Sequence, residues 1–472
     1  PNYPTFAAAV ADLNVNGICG ATVFNVRSGT YTETISLTAI NGTSAVNTVT
    51  FQSETGNRND VTLTYAPTTQ IGTVNMTNAD WVTFQNMSIK STGTTYSNVM
   101  NFNGGSDHNN VLNCVLQNPT MASTSTYNAV IFSSTGMDEY NSFVDNAITG
   151  GSIGAYWFGS GSTAATSEMM NRFERNTITG QYYFGLYTYY QNTITLKDNL
   201  IIRDGGYTYA YLCYAYYYFG PYVITGNKMI AKNTTYTYGL MNYAYGSTNS
   251  PSSRPIIANN FITTSAGTST CYGLYLYYLS YALVYNNTVY NRANYASSYS
   301  VYNYYGDNFK FKNNIIYATG GAYVYYIYNP TGAWESDYNI LYTTGATFGY
   351  LYPPGTTYTN FALYQSGSGK EANSKNLSNV QFADAPNGDL HLAGASQNDP
   401  NLTGIALPEV TDDIDKDVRV LPYIGADEAC YILPNTVAYE FRDATGAPTP
   451  YANVPGTVYV YYKIAFPAPA AN

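Results

Sequence analysis

Residues 145–204 hold the densest run of side chains able to do chemistry. Asp145, Arg175 and Asp198 occupy equivalent places in successive copies of a short motif, with Glu174 and Lys197 just ahead of the last two. Two carboxylates held close together can hydrolyse a glycosidic bond as acid and base. Several acidic groups around a Ca2+ ion, beside an Arg or Lys base, can instead drive an eliminative, lyase-type cleavage. Stacked, these residues make columns of alternating sign, the order that neighbours about 4.8 Å apart adopt for stability alone. A metal-centred site would gather like charges. The cluster therefore reads as a surface salt ladder, and Asp145, Arg175 and Asp198 stand as catalytic candidates only in an alternative, enzymatic reading.

A second group is Asp413, Asp415 and Asp417, whose alternate spacing resembles a calcium loop without its Gly and distal Glu. They are the candidate Ca2+ ligands, set against a solvated acidic turn packed by Arg419; no other cofactor is implied. The two histidines, His108 in a loop and His391 in an end-cap strand, have no visible catalytic partner. Trp81, Trp157 and Trp334 read as core or turn packing.

The elements that carry these residues follow from a repeat. An apolar, any, any, Asn, any, apolar frame recurs as FVDNAI (143–148), FERNTI (173–178), LKDNLI (196–201), ITGNKM (224–229), IANNFI (257–262), VYNNTV (284–289) and FKNNII (311–316). SDYNIL (336–341) is a weaker copy. FQNMSI (84–89) and VLNCVL (111–116) keep the frame with Met87 and Cys114 in the Asn slot. The ten slots recur about every 28 residues. Both the first apolar residue and the Asn face inward only if the chain bends between them, and Asn tolerates the left-handed backbone such bends need. Stacked amides then satisfy one another in the interior. The fold expected is all-β: a right-handed parallel β-helix solenoid, rising about 4.8 Å per coil. Propeller blades of about 40–45 residues do not fit the period.

A second strand repeats upstream of the slot. In FGLYTYY, YGLYLYY and YSVYNYY, Leu186, Leu274 and Val301 each precede their Asn by thirteen residues. With those three inward, Tyr187, Tyr189, Tyr275, Tyr277, Tyr302 and Tyr304 point out and align in columns, extended less regularly by 211–218 and 323–328. Tyr suits contact surfaces because it is amphipathic and loses little entropy when held. Flat rows of rings can stack on sugars or on another protein.

Composition narrows the partners. Lys and Arg total 19 against 29 Asp and Glu, for a net charge of −10, and Tyr alone supplies 54 of the 472 residues. The acidic balance excludes a nucleic-acid backbone, which needs a concentrated basic face. No apolar run approaches the roughly 20 residues of a membrane span. So few Lys and Glu point to an extracellular protein. The start without Met or leader reads as a mature chain or excised fragment. The five cysteines are scattered and form no zinc pattern, leaving at most one bridge open.

The flanks add a resemblance. FAAAVADLNVNGICGATVFNVRSGTYTETISL near the start, and GDLHLAGASQNDPNLTGIALPEVTDDIDKDVRVLPYIGADE at 388–428, resemble the ends of right-handed parallel β-helix (pectin-lyase-like) repeat proteins of the secreted Bacteroidota surface and adhesin type. The resemblance implies export and a cell-surface role and says little of activity. The organisation expected is an N-terminal cap at 1–35, with a helix capped by Thr5 and stopped near Gly17. Coils follow at 36–345, then the C-terminal end of the helix at 346–428. A strand-rich tail, or the start of a following module, fills 429–472. The function expected is a non-catalytic structural or adhesive protein whose tyrosine face contacts polysaccharide or another copy in a filament. The alternative is a polysaccharide lyase or glycoside hydrolase of the same fold.

Overall fold

The computed structural model describes residues 2–134, 136–206 and 208–428, with the backbone strands Ala438–Arg442 and Tyr459–Lys463. The chain forms two compact units, Pro1–Glu428 and Ala429–Asn472. In the second, the two strands pair antiparallel; the rest of that unit, Cys430 included, lies outside the described residues.

The first unit is a parallel β-solenoid of twelve coils. Its first and second sheets have 12 strands each and its third 14. The first coil already runs through Thr22–Val26, Gly29–Thr32 and Ile35–Leu37, inside the stretch read from sequence as a cap. It and the second coil lack the Asn frame, because a looser turn, such as 54–60 in the second coil, joins their strands there. The ten later slots stack in register. Phe143, Phe173, Leu196, Ile224 and Ile257 pair in turn along the first sheet, and Ile148, Ile178, Ile201, Met229 and Ile262 along the second.

Between those strands the slot side chains from Asn146 to Asn339 form one continuous ladder. The Nδ2 of Asn176 donates to Asn199 Oδ1 at 3.0 Å, and Asn199 to Asn227 at 3.0 Å. Each Oδ1 also accepts the backbone N–H of the Asn before it, as Asn227 does from Asn199 at 3.0 Å. Each Nδ2 reaches back to a carbonyl of the preceding coil, as Asn199 does to Phe173 at 2.7 Å. Every amide is thus saturated in a dry interior, where an unpaired one is costly.

The left-handed conformation does not fall on the slot Asn, as the sequence frame suggests, but on the residue before it. Asn86, Asn113, Asp145, Arg175, Asp198, Gly226, Asn259, Asn286, Asn313 and Tyr338 all have φ between 49° and 70°. The slot Asn is there for its amide; the corner before it makes the bend.

Both ends are closed. Helix α1 (Phe6–Asn16) buries Phe6, Ala9, Val10 and Leu13, is capped by the Thr5 side chain on Ala8 N–H, and stops at Gly17 with φ +66°. At the other end, α2 (Phe361–Ser368) brings round Glu371, whose buried carboxylate accepts from Asn339 Nδ2 at 3.0 Å and ends the ladder. Residues 372–428 then run back along the outside of the later coils. The corner asparagines hold this wrap: Asn259 donates to Asp412 O at 2.8 Å, Asn286 to Tyr423 O at 2.9 Å, and Asn313 to Ile405 O at 2.7 Å. Arg419 is buried beneath it and donates to Asn259 Oδ1 and to the carbonyls of Asp412, Gly425 and Ala426.

Candidate functional site

The third sheet carries the tyrosines. Leu186, Cys213, Leu240, Leu274 and Val301 pair in sequence and are buried, which turns their neighbours outward. One outward column runs Phe158, Tyr189, Tyr216, Tyr243, Tyr277, Tyr304, Tyr328 and Tyr352. Successive ring centroids are 4.4 to 5.0 Å apart and tilted by 6° to 27°. A parallel column includes Tyr275, Tyr302, Tyr326 and Tyr350, each 4.8 Å from the next, and begins with Tyr156, Tyr187 and Tyr214. Met241 is its one interruption. The segments 211–218 and 323–328 sit in full register rather than extending the face irregularly.

This geometry corrects the picture of flat rings open to a partner. The inner rings of the first column, and Tyr302 and Tyr326 in the second, lie against the ring above and below, so their π faces are occupied by neighbours and edges and hydroxyls face outward. Tyr187 instead meets Tyr156 and Tyr214 edge to face. The rings are half-buried for the same reason. Burial, and then the neighbouring phenols, push the ionisation of Tyr187, Tyr275 and Tyr302 above the free phenol range. The face is therefore a neutral lattice of O–H groups. None of its eight stacked strands from Ile153 to Tyr352 contains a charged residue; Glu168, on the short side strand Glu168–Met169, is buried. A third column, Tyr211, Tyr238, Tyr272 and Tyr299, stacks at 4.7 to 5.6 Å. Eight coils at about 4.8 Å make the face roughly 34 Å long, and at three columns wide it approaches the area one partner contributes to a stable interface.

The catalytic candidates are corner residues on the opposite side of the coil. Arg175 grips Asp145 with two hydrogen bonds, 2.8 Å and 2.9 Å, both side chains half-exposed, and sits 3.7 Å from Glu174. Asp198 pairs instead with Lys416 of the C-terminal wrap. Asp145 and Asp198 are thus each occupied by a cation, with Arg175 between them.

Asp413, Asp415 and Asp417 do not converge. Both oxygens of Asp413 accept backbone N–H groups, Oδ1 from Asp415 (2.9 Å) and Asp417 (3.1 Å) and Oδ2 from Glu428 (3.1 Å). Asp415 turns away toward Lys228, 3.6 Å off, and His391, 2.9 Å off. His391 is not without partners, as its sequence setting suggests, because Asp389 contacts its other ring nitrogen. Trp157 is buried core, and Trp334 is a part-buried packing residue beneath Lys370. Cys114, Cys213 and Cys271 are buried free thiols and Cys19 is exposed and free.

A carboxylate column missed in the sequence lies where the third sheet turns into the first. Asp80 Oδ1 accepts the N–H of Asp107 at 2.8 Å, and Asp107 Oδ1 that of Glu139 at 2.7 Å. Beside it Trp81, His108 and Tyr140 stack, centroids 4.0 and 4.7 Å apart, so His108 and Trp81 belong to one aromatic pile. Burial, and then like charge, raises the ionisation of Glu139, and burial does the same to Asp107. Behind the column are Asp138 and Glu168, both fully buried, with Glu168 Oε1 accepting Asp138 N–H at 3.1 Å. The signal was present: Asp80, Asp107 and Glu139 each precede their slots at 87, 114 and 146 by seven residues. Here like charges do gather.

No protein-family model matches the chain, and no curated protein matches it. Among solved structures it is similar to the periplasmic alginate epimerase AlgG, with 13% identity over 74% of this chain and 80% of that one and a TM-score of 0.45. It is also similar to the A-module of a mannuronan C-5 epimerase from Azotobacter vinelandii, with 10% identity over 74% and 91% and a TM-score of 0.35. A third is the pectin methylesterase from Aspergillus niger, with 15% identity over 70% and 82% and a TM-score of 0.27. The likeness is one of coiled architecture, and it carries nothing about activity. Among the described residues no helix is long and apolar enough to cross a membrane.

Proposed function

We propose that the chain is an extracellular, non-catalytic rod of the cell-surface type its flanks resemble, and that its tyrosine face makes the contact. The observation that supports this is the uncharged lattice itself. A surface this large and free of charge is unusual unless something covers it. Edge-on rings present hydroxyls at the coil spacing, which suits hydrogen bonding to a hydroxyl-rich polysaccharide laid along the rod, or to the same face of a second copy.

The half-buried stacking decides which variant tests it. Changing Tyr275, Tyr277, Tyr302 and Tyr304 to Ser would remove four stacked rings at about 0.5–1.5 kcal/mol per pair, which confuses contact with folding. The same four changed to Phe keep the stack and delete only the hydroxyls. The Phe variant should unfold within a few degrees of the parent yet lose at least tenfold in retention on insoluble glycans or in sedimenting self-association. Retention and self-association equal to the parent's would sink the hydroxyl contact.

A second reading, a polysaccharide-degrading enzyme, is favoured by the acid and aromatic columns at 80–140 rather than by Asp145, Arg175 and Asp198. If it holds, the chain releases unsaturated or reducing sugars from a glycan panel and Asp107→Asn abolishes that release. No release by the parent chain would dismiss it.

A further inference from the structure

Three stretches of the C-terminal wrap, distant in sequence, converge over the second sheet. The strand Asp389–Leu392 brings His391, the acidic turn brings Asp415, and the end of the unit brings Asp427. One ligating atom from each lies within 4.8 Å of the other two. We infer that His391, Asp415 and Asp427 bind a divalent transition-metal cation, with Zn2+ as its probe. An imidazole with two carboxylates is a donor set suited to Zn2+ or Mn2+, whereas Ca2+ loops use oxygen alone.

The surroundings of His391 point the same way. Asp389 takes its Nδ1, the carboxylate support that orients a ligating imidazole and leaves Nε2 as the free donor. That Nε2 is shielded from water and lies 2.9 Å from Asp415 Oδ2, yet off the line of a hydrogen bond, so it has no hydrogen-bond partner. A nitrogen lone pair and a carboxylate oxygen that close repel unless a cation lies between them. Asp427 is itself held in place, its Oδ2 accepting Leu392 N–H at 2.7 Å. The rival is an imidazolium bridging Asp389 and Asp415 with no metal. The site is independent of the tyrosine face, and its consequence is a staple joining three stretches of the wrap.

The test is calorimetric titration of the EDTA-stripped full chain with ZnCl2, and separately with MnCl2 and CaCl2. One Zn2+ per chain is expected, bound at least tenfold more tightly than Ca2+, with a rise in unfolding temperature that EDTA reverses. His391→Ala should weaken Zn2+ binding at least 100-fold and Asp389→Asn by about 10–100-fold. Asp417→Asn should change nothing. Circular dichroism checks the fold, and His391→Gln replaces the Ala variant if that one does not fold. Absence of stoichiometric Zn2+ binding, or Zn2+ affinity unchanged in both His391 variants, overturns the site in favour of the bare ion triad. Calcium binding lost on Asp417→Asn but kept without His391 overturns it in favour of the acidic turn.

Discussion

Asn227→Ala is expected to destabilise the solenoid by about 3–5 kcal/mol, far more than the average point substitution. The loss is not that of one hydrogen bond. Asn227 Oδ1 accepts both the backbone N–H and the Nδ2 of Asn199, and its own Nδ2 donates to Leu196 O at 2.9 Å and to Asn260 Oδ1 at 3.0 Å. Truncation leaves a buried N–H, a carbonyl and two amide groups short of partners, each orphan costing about 1–3 kcal/mol before relaxation. No water reaches the site to replace them, since Asn199, Asn227 and Asn260 are all at most 2% exposed. Coils contact only their neighbours, so the damage should be local. Hydrogen exchange should quicken over residues 196–262 and stay unchanged near α1. A loss under about 1 kcal/mol in denaturant unfolding would show that the ladder is ornament to the apolar stack.

The largest pH effect should come from Glu168. Burial, opposed in part by its hydrogen bond from Gln191, pushes its carboxyl from the ordinary 4.5 to about 8. The folded chain keeps this proton between pH 4.5 and 8 while the unfolded chain releases it. The folded state binds more protons across that window, so stability falls as pH rises through it. The full span is on the order of 5 kcal/mol. Asp138, raised to about 6 by the same burial, adds loss between its ordinary 3.8 and 6. The chain should therefore be more resistant to urea at pH 5 than at pH 8.5. Glu168→Gln keeps the shape without the proton, and should flatten the slope and match or exceed the parent at pH 8.5. Equal slopes in parent and variant would mean that Glu168 is ionised in the folded chain.

Much of this was legible along the chain because a solenoid maps sequence onto space with a nearly constant offset. The frame from Phe143 to Ile316 named which residues stack, and inward Leu186, Leu274 and Val301 named which tyrosines face out. Even the wrap has a trace: the doubled Asn at 259–260, 286–287 and 313–314 marks coils where one amide holds the C-terminal segment and the other the ladder. Coils carrying Asp145 and Arg175 at the corner lie before that segment arrives. The column Asp80, Asp107 and Glu139 obeyed the same offset. No single letter repeats there, because the loop before the first-sheet strand of each of these coils carries Asp or Glu followed by Trp, His or Tyr.

By itself, then, the order of residues determined the coil, its period and its outward tyrosines, since these depend on contacts between positions a fixed distance apart. Only the folded molecule decided how the rings are oriented, which cation each corner carboxylate meets, and that His391 lies among Asp389, Asp415 and Asp427. Those outcomes depend on side-chain rotation and on a terminal segment folding back across coils up to 218 residues away, as in the contact of Lys416 with Asp198. No periodicity encodes a contact that is made once.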